Sequence, residues 1–468
     1  MNRSLKCTML NVLALIIVFT ITACSGGNNE SAGSASSNAN TGQSASESTD
    51  EGNSPSVGKV DSLRMIMIND PWVETAKDFA SLYEEETGIK VEVESYGYDQ
   101  THQKEVLLGT QKSDATDIIV LDSPWVGEFA EGGITADITD RVANSPELDW
   151  ADYIPSFAKV VEWKGKKIGV PFAPYYTLLH YRKDLFEAEG IAPPKTIDEL
   201  KAAAKHFTNN PKYPDFYGIS LNNAKGAAAG QSWFEWSANF GGKYFESAYP
   251  GTTDAYADVT PLINSPAGIE TANFFKDMLQ YQPPGALNVA WDERLQNFAQ
   301  GKVAMIVEWN VRTMAMADKD KSKIADQFAT VLMPSKEGVT SVPPLGGWLM
   351  SINQYSKKQD AAWDFIKWIN KKDIHKEFVK ASATPARLSQ LDDAELIAMF
   401  PWFDTVKASA LQAFEDNRPR IPESFQIIDI VGNYSSQGLS GQMTMEEAMN
   451  KANEEVEMLL KQGGYTMK

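Results

Sequence analysis

The stretch LRMIMINDPWVETAKDFASLYEEETGIKVEVES, Leu63–Ser95, decides the architecture. It opens as a short apolar run and stops at the turn residues Asn69 and Asp70. Pro71 suits the first turn of a helix. Trp72, Ala76, Phe79, Ala80 and Tyr83 then fall on one helical face, and Gly88 suits the C-terminal end. Ile89, Val91 and Val93 alternate as a strand does. A polar helical stretch around Gln103–Lys112 follows, and Ile118–Leu121 is a continuous apolar run, as in a strand covered on both faces. This βαβαβ order predicts an α/β chain with a parallel, doubly wound sheet.

Ligands of such sheets bind beyond the carboxyl ends of the strands. Those ends read NDPW (Asn69–Trp72), SYGYD (Ser95–Asp99) and DSPW (Asp122–Trp125). Each sets an acid beside an aromatic ring. A ring packs on the C–H face of a sugar, and a carboxylate accepts hydrogen bonds from its hydroxyls. Asp70, Trp72, Asp122 and Trp125 are therefore candidate ligand contacts. Turns favour Asp and Pro in any case, and a loop tryptophan can simply be packed.

The chain has 468 residues and a formal net charge of −19. That balance argues against nucleic acid or anionic lipid as partner of the globular part. Arg3 and Lys6 precede the apolar stretch MLNVLALIIVFTITA (Met9–Ala23), which is short for a membrane span and suits a secretory signal over residues 1–23. ITAC (Ile21–Cys24) resembles the bacterial lipobox, in which the cysteine is lipidated and becomes the mature N-terminus. The two cysteines are Cys7 and Cys24, so cutting at this point leaves no partner for an internal disulfide. Residues 24–59, rich in Ser, Gly and Asn, cannot bury apolar surface and read as a flexible tether. About 410 residues remain, more than one hydrophobic core usually serves, so two lobes are expected.

Four later segments carry a family resemblance. KKIGVPFAPYYTLLHYRKDLFEAEGIAPPKTIDEL (Lys166–Leu200) resembles the G-x-P strand, Y-x-K-D-L-F and P-P-K-T-x-x-E-L run of family 1 bacterial extracellular solute-binding proteins. Within it, Thr196 and Glu199 suit a capping box. FAQGKVAMIVEWN (Phe298–Asn310), LGGWLMSINQYSKKQDAAWDFIKWI (Leu345–Ile369) and TPARLS (Thr384–Ser389) match further motifs in order. The resemblance implies two α/β lobes with a ligand cleft at the hinge. Closure over the ligand presents the protein to the permease of an ABC importer. The implied lobes are 60–172 with 342–372, and 173–341 with 373–468. Also implied are a sugar ligand, such as a disaccharide or short oligosaccharide, and no cofactor or metal. The protein is then a monomer held by Cys24 on the extracellular face of a membrane, in a Gram-positive cell.

Carried onto this chain, the cleft residues are Asp70, Trp72, Asp122, Trp125, Tyr175, Trp236, Trp309, Gly347, Trp348 and Arg387. Gly346 and Gly347 let backbone approach the ligand, and Arg387 offers a fork of donors. Trp363 and Trp368 lie on an amphipathic helix and read as packing or surface. From Gly346 onward, including PWFDTVKASALQAFEDNRPRIPES (Pro401–Ser424), the chain resembles members that bind disaccharides. Those members usually carry an acid where this chain has Tyr175. A polyol, a phosphorylated polyol or a polyamine is the alternative ligand. A glycoside hydrolase is the remaining rival, but the chain has no G-x-S-x-G elbow, H-E-x-x-H or P-loop. Its histidines, His102, His180, His206 and His375, lack metal-ligand spacing, and His180 reads as structural.

Overall fold

The computed structural model describes residues 60–247, 256–414 and 416–468. The signal expected over 1–23, Cys24 and the tether over 24–59 lie outside the described residues. Among the described residues there are ten strands: β1 (Ser62–Ile68), β2 (Lys90–Tyr96), β3 (Ile118–Asp122), β4 (Glu162–Trp163), β5 (Lys166–Lys167), β6 (Val170–Arg182), β7 (Tyr217–Ser220), β8 (Val303–Trp309), β9 (Phe328–Leu332) and β10 (Leu345–Ile352). β4 and β5 form a separate hairpin, and the rest run in the order β2-β1-β3-β10-β6-β8-β7, with β9 also on β6.

β1 pairs in parallel with β2 and β3, as the βαβαβ reading requires. The sheet is nevertheless mixed. β10 enters from the second half of the chain and lies antiparallel between β3 and β6. In the other half, β6 is antiparallel to β8 and β9, and only β7–β8 is parallel. No local pattern in β1–β3 could reveal a strand arriving from residue 345.

β6 is the structural axis. All 13 of its residues are buried. Val170–Tyr176 pairs with β10, whereas Thr177–Arg182 pairs with β8 and β9. One strand thus serves two half-sheets, and the two lobes are built around them.

The helix Val73–Thr87 buries Val73, Ala76, Phe79, Ala80 and Tyr83, and ends at Gly88 in the left-handed region, whose N–H donates to the Glu84 carbonyl. Its buried face meets the helix Gln359–Ile369, where Tyr83 and Phe365 sit edge-on at 5.0 Å. It also meets the helix Lys372–Ser382, where Phe79 and Phe378 lie 5.8 Å apart. That second helix packs with the first half-sheet, beyond the boundary expected at residue 372. Each Val or Phe so buried contributes about 1.5–3 kcal/mol relative to exposure. The capping box expected at Thr196 and Glu199 is formed on the helix Ile197–Phe207. Four helices, Ala227–Ser237, Pro266–Met278, Ser424–Leu439 and Met445–Gln462, pack together on the second half. Among the described residues no helix is long and apolar enough to cross a membrane.

Candidate ligand cavity

The carboxyl ends of β1 and β3, the start of the helix Tyr98–Thr110, and the crossing strands β6 and β10 open onto a cavity of about 420 Å³. Two polar clusters face it. In the first, Tyr175 of β6 donates its hydroxyl proton to Asp70 Oδ2 at 2.6 Å. The same hydroxyl accepts from Trp72 Nε1. Arg312, which follows β8, lies 3.7 Å from Asp70 and 2.6 Å from Asp292. Burial raises the Asp70 carboxyl above its usual range, against the opposing pull of Arg312 and Tyr175. Burial, with Asp70 beside it, holds the Tyr175 phenol well above its ordinary value, so it remains a donor.

In the second cluster Tyr98 donates to Asp122 Oδ2 at 2.9 Å and accepts from Gln231 Nε2 at 3.0 Å. Arg418 reaches the same carboxylate at 3.4 Å, Gln231 Oε1 at 3.2 Å and Ser123 Oγ at 3.0 Å. The walls are aromatic. The Arg418 guanidinium lies 6.0 Å from the Trp309 ring, and Trp309 is 6.3 Å from Tyr175. Trp348 stands edge-on to Tyr98 at 6.3 Å.

Two glycines of β10 form the floor. A Cβ at Gly346 would come within 2.9 Å of Arg418 Nη2 and 3.1 Å of the Trp309 ring. Gly347 has φ +121°, and its Cβ would lie 2.3 Å from the Ala173 carbonyl oxygen. Any side chain there would push β10 off β6.

Of the residues expected at the cleft, Asp70, Asp122, Tyr175, Trp309, Gly347 and Trp348 line this cavity. The other four do not. Trp72 is fully buried behind Tyr175, edge-on to Phe172 at 5.4 Å. Trp125 sits behind Trp348, between His102 at 4.9 Å and Phe129 at 5.9 Å. In both cases the chain turns into a helix straight after the strand, so the ring faces the core rather than the strand end. Trp236 packs on Phe274 at 4.7 Å. Arg387 is buried, and its fork is committed to the carbonyls of Leu148 (3.0 Å) and Asn370 (2.6 Å) and to the Tyr153 hydroxyl (3.0 Å). It ties two loops together and does not line the cavity. Trp363 and Trp368 are buried, with indole N–H groups bonded to Ser145 and Glu86. His180 is interior, 2.8 Å from Thr313 Oγ1.

Tyr98, Gln231, Trp291, Arg312 and Arg418 line the cavity but were not singled out from sequence. Tyr98 lies in the quoted strand-end segment SYGYD. Gln231 is the one amide in the helical stretch AAAGQSWFEWS, and Arg418 sits between turn residues in DNRPR; both are signals of a kind. A wider open groove of about 880 Å³ adjoins the cavity at Val311, lined in part by Met314, Phe328, Phe400 and Trp402; neither strand-end acid, Asp70 or Asp122, lines it.

The fold is that of a two-lobed α/β binding protein, and the cavity lies where the crossing strands pass beneath the strand ends. Residues 69–376 match the family described as bacterial extracellular solute-binding protein, and the chain belongs to that family. A solute-binding protein of an ABC transporter from Agrobacterium radiobacter K84, in complex with ribitol, is 32% identical; the match covers 85% of this chain and 98% of that one, with a TM-score of 0.79. A probable amino-acid ABC transporter periplasmic-binding protein of Sinorhizobium fredii is 27% identical over 392 residues, 82% of this chain and 85% of that protein. The mannitol-binding protein of Pseudomonas aeruginosa is 27% identical over 336 residues, 67% of this chain and 74% of that protein.

Proposed function

We propose that the protein captures a sugar, a disaccharide or short oligosaccharide, in this cavity and delivers it to the permease of an ABC importer. One observation carries the reading: two carboxylate–tyrosine pairs, each braced by an arginine, converge between Trp309 and Trp348 in a space of about 420 Å³. Such a volume suits a small ligand. Hydroxyl groups match the carboxylates, and ring C–H faces match the indoles. Both cavity cations already face carboxylates, which disfavours an anionic solute such as a phosphorylated polyol. A linear polyol is the second reading, favoured by the ribitol complex and the mannitol-binding relative.

In this proposal the protein performs no catalysis and acts as a monomer. It closes by rotation of the lobes about β6 and β10. Cleavage before Cys24 and lipidation of that residue hold it on the outer face of the membrane of a Gram-positive cell, with residues 24–59 as tether. Two acyl chains are needed for stable attachment, so Cys24→Ala should release the protein.

A thermal-shift panel of maltose, trehalose, maltotriose, ribitol, D-mannitol and spermidine tests the ligand class. A ligand at a hundred times its Kd stabilises by about 2.7 kcal/mol. A raised midpoint with a saccharide alone supports the sugar; a response confined to polyols selects the second reading. A response to spermidine alone overturns both. Release of monosaccharide from maltotriose would overturn the non-catalytic reading.

A further inference from the structure

Tyr98 and His102 stand one turn apart on the helix Tyr98–Thr110, which packs on β1 and β2 of the first half-sheet. One ring from the other half meets both. Phe425, at the start of the helix Ser424–Leu439, lies parallel to the His102 ring at 4.3 Å with an interplanar angle of 7°. It is also 6.4 Å from the Tyr98 ring, at 25°. The histidine is held for this contact: its Nε2 lies 2.6 Å from Glu128 Oε2, and Trp125 meets it edge-on at 4.9 Å. The backbones approach closely as well. A Cβ at Gly127, on the helix Val126–Glu131, would fall 1.8 Å from the Arg420 carbonyl oxygen. Neither His102 nor Phe425 lines the ligand cavity. Phe425 is half-buried and edges a separate groove on the helices Ser424–Leu439 and Met445–Gln462.

The stack thus joins the two halves beside the ligand cavity without facing into it. Tyr98 links the two places. Its hydroxyl spans Asp122 and Gln231 at the cavity wall, and its ring lies against Phe425. We infer that Phe425 is a positioning residue of the ligand site: its stack on His102 is a clasp that forms as the halves close and is lost as they part.

The inference rests on the solute-binding reading and on closure about β6 and β10. A contact that stabilises the closed form raises the share of binding-competent molecules, and apparent affinity scales with that share. The factor is the same for every solute, because the clasp touches none of them. An aromatic pair of this kind weighs about threefold to tenfold in an equilibrium.

Two measurements test it, and the first needs no ligand. In His102→Cys/Phe425→Cys, with Cys7 and Cys24 replaced by serine, a short bis-maleimide joins the two positions. Small-angle scattering should show the joined protein more compact than the same protein capped with N-ethylmaleimide, whose halves are free to part. Equal profiles mean that nothing moves between the two positions, and overturn the inference. The second is calorimetry with maltose, ribitol and D-mannitol. Phe425→Ala should weaken each solute that binds by one common factor, about threefold to tenfold. Phe425→Tyr keeps the ring and should bind as the wild type does. A role in packing alone lowers the unfolding midpoint of Phe425→Ala and leaves affinity untouched; that result overturns the inference. So does a loss that differs between solutes, or a Phe425→Tyr protein as weak as Phe425→Ala. Failure of every sugar and polyol to bind counts against the solute reading alone, and the scattering still decides the role of Phe425.

Discussion

Tyr175 and Asp70 come from different stretches of chain, yet the hydroxyl of one meets the carboxylate of the other at 2.6 Å, with Trp72 donating to that hydroxyl from the core side. The tyrosine therefore joins a strand-end acid to the crossing strand. In Tyr175→Phe the Trp72 N–H loses its acceptor and Asp70 loses a donor, leaving buried polar groups unpaired. Denaturant unfolding should show a loss of about 1–3 kcal/mol, and solute affinity should fall. Unchanged stability would mean that water replaces the hydroxyl at no cost.

Trp309 and Trp348 line the cavity, but Trp348 also packs edge-on against Trp125 at 5.6 Å. Trp309→Ala should weaken binding by about 2–4 kcal/mol, the range of hot-spot truncations. Trp348→Ala should cost binding and, through the cavity it leaves, about 3–5 kcal/mol of stability. Trp363→Ala should lower stability while leaving affinity near normal. Calorimetry paired with thermal unfolding separates the three, and a loss of ligand in Trp363→Ala would contradict the placement of the cavity.

Gly347→Ala forces a side chain into a backbone conformation with φ +121° and into contact with the Ala173 carbonyl. The strain alone is worth about 1–3 kcal/mol, and the contact adds to it. A midpoint within a degree of wild type would show that β10 can shift without penalty.

Acid should destabilise the protein through two buried histidines. Burial lowers His180 to about 3 and His375 to about 4. His375 is held neutral between the Phe172 carbonyl and the Gln390 amide. Above the unfolded value near 6.5 both states are neutral and stability is complete. As pH falls from 6.5 the unfolded chain takes up protons that the folded one refuses, so stability drops by up to about 1.4 kcal/mol per unit for each histidine, down to its folded value. His375→Gln should be less stable at neutral pH but lose less on acidification. Denaturant midpoints between pH 7 and pH 4.5 check this; an equally steep acid limb in the mutant would remove His375 from the account.

Local patterns were legible in the sequence where the forces are local. The apolar face of Val73–Thr87, its glycine stop and the Thr196–Glu199 capping box all depend on residues within a few positions of each other. Asp70 and Asp122 were readable because topology places strand ends at a site whatever follows them. The tryptophans beside them were misread, since adjacency in sequence does not say which way a ring turns as a strand becomes a helix. Arg387 was misread for a related reason: a guanidinium offers the same donors to a loop carbonyl as to a ligand, and only the fold decides which is near. Arg312 and Arg418 gain their meaning from carboxylates more than two hundred residues away, and β10 from strands equally remote.

The strand Val170–Arg182 has a consequence for how the protein can be divided. Its first half completes one sheet and its second half begins the other. No cut in the polypeptide yields a fragment holding one whole lobe: each piece would carry an orphaned strand edge and the exposed apolar faces that its partner covers. The halves have to be made, folded and inherited together, and a chimaera that exchanges one lobe for a relative's has to bring its own copy of this strand.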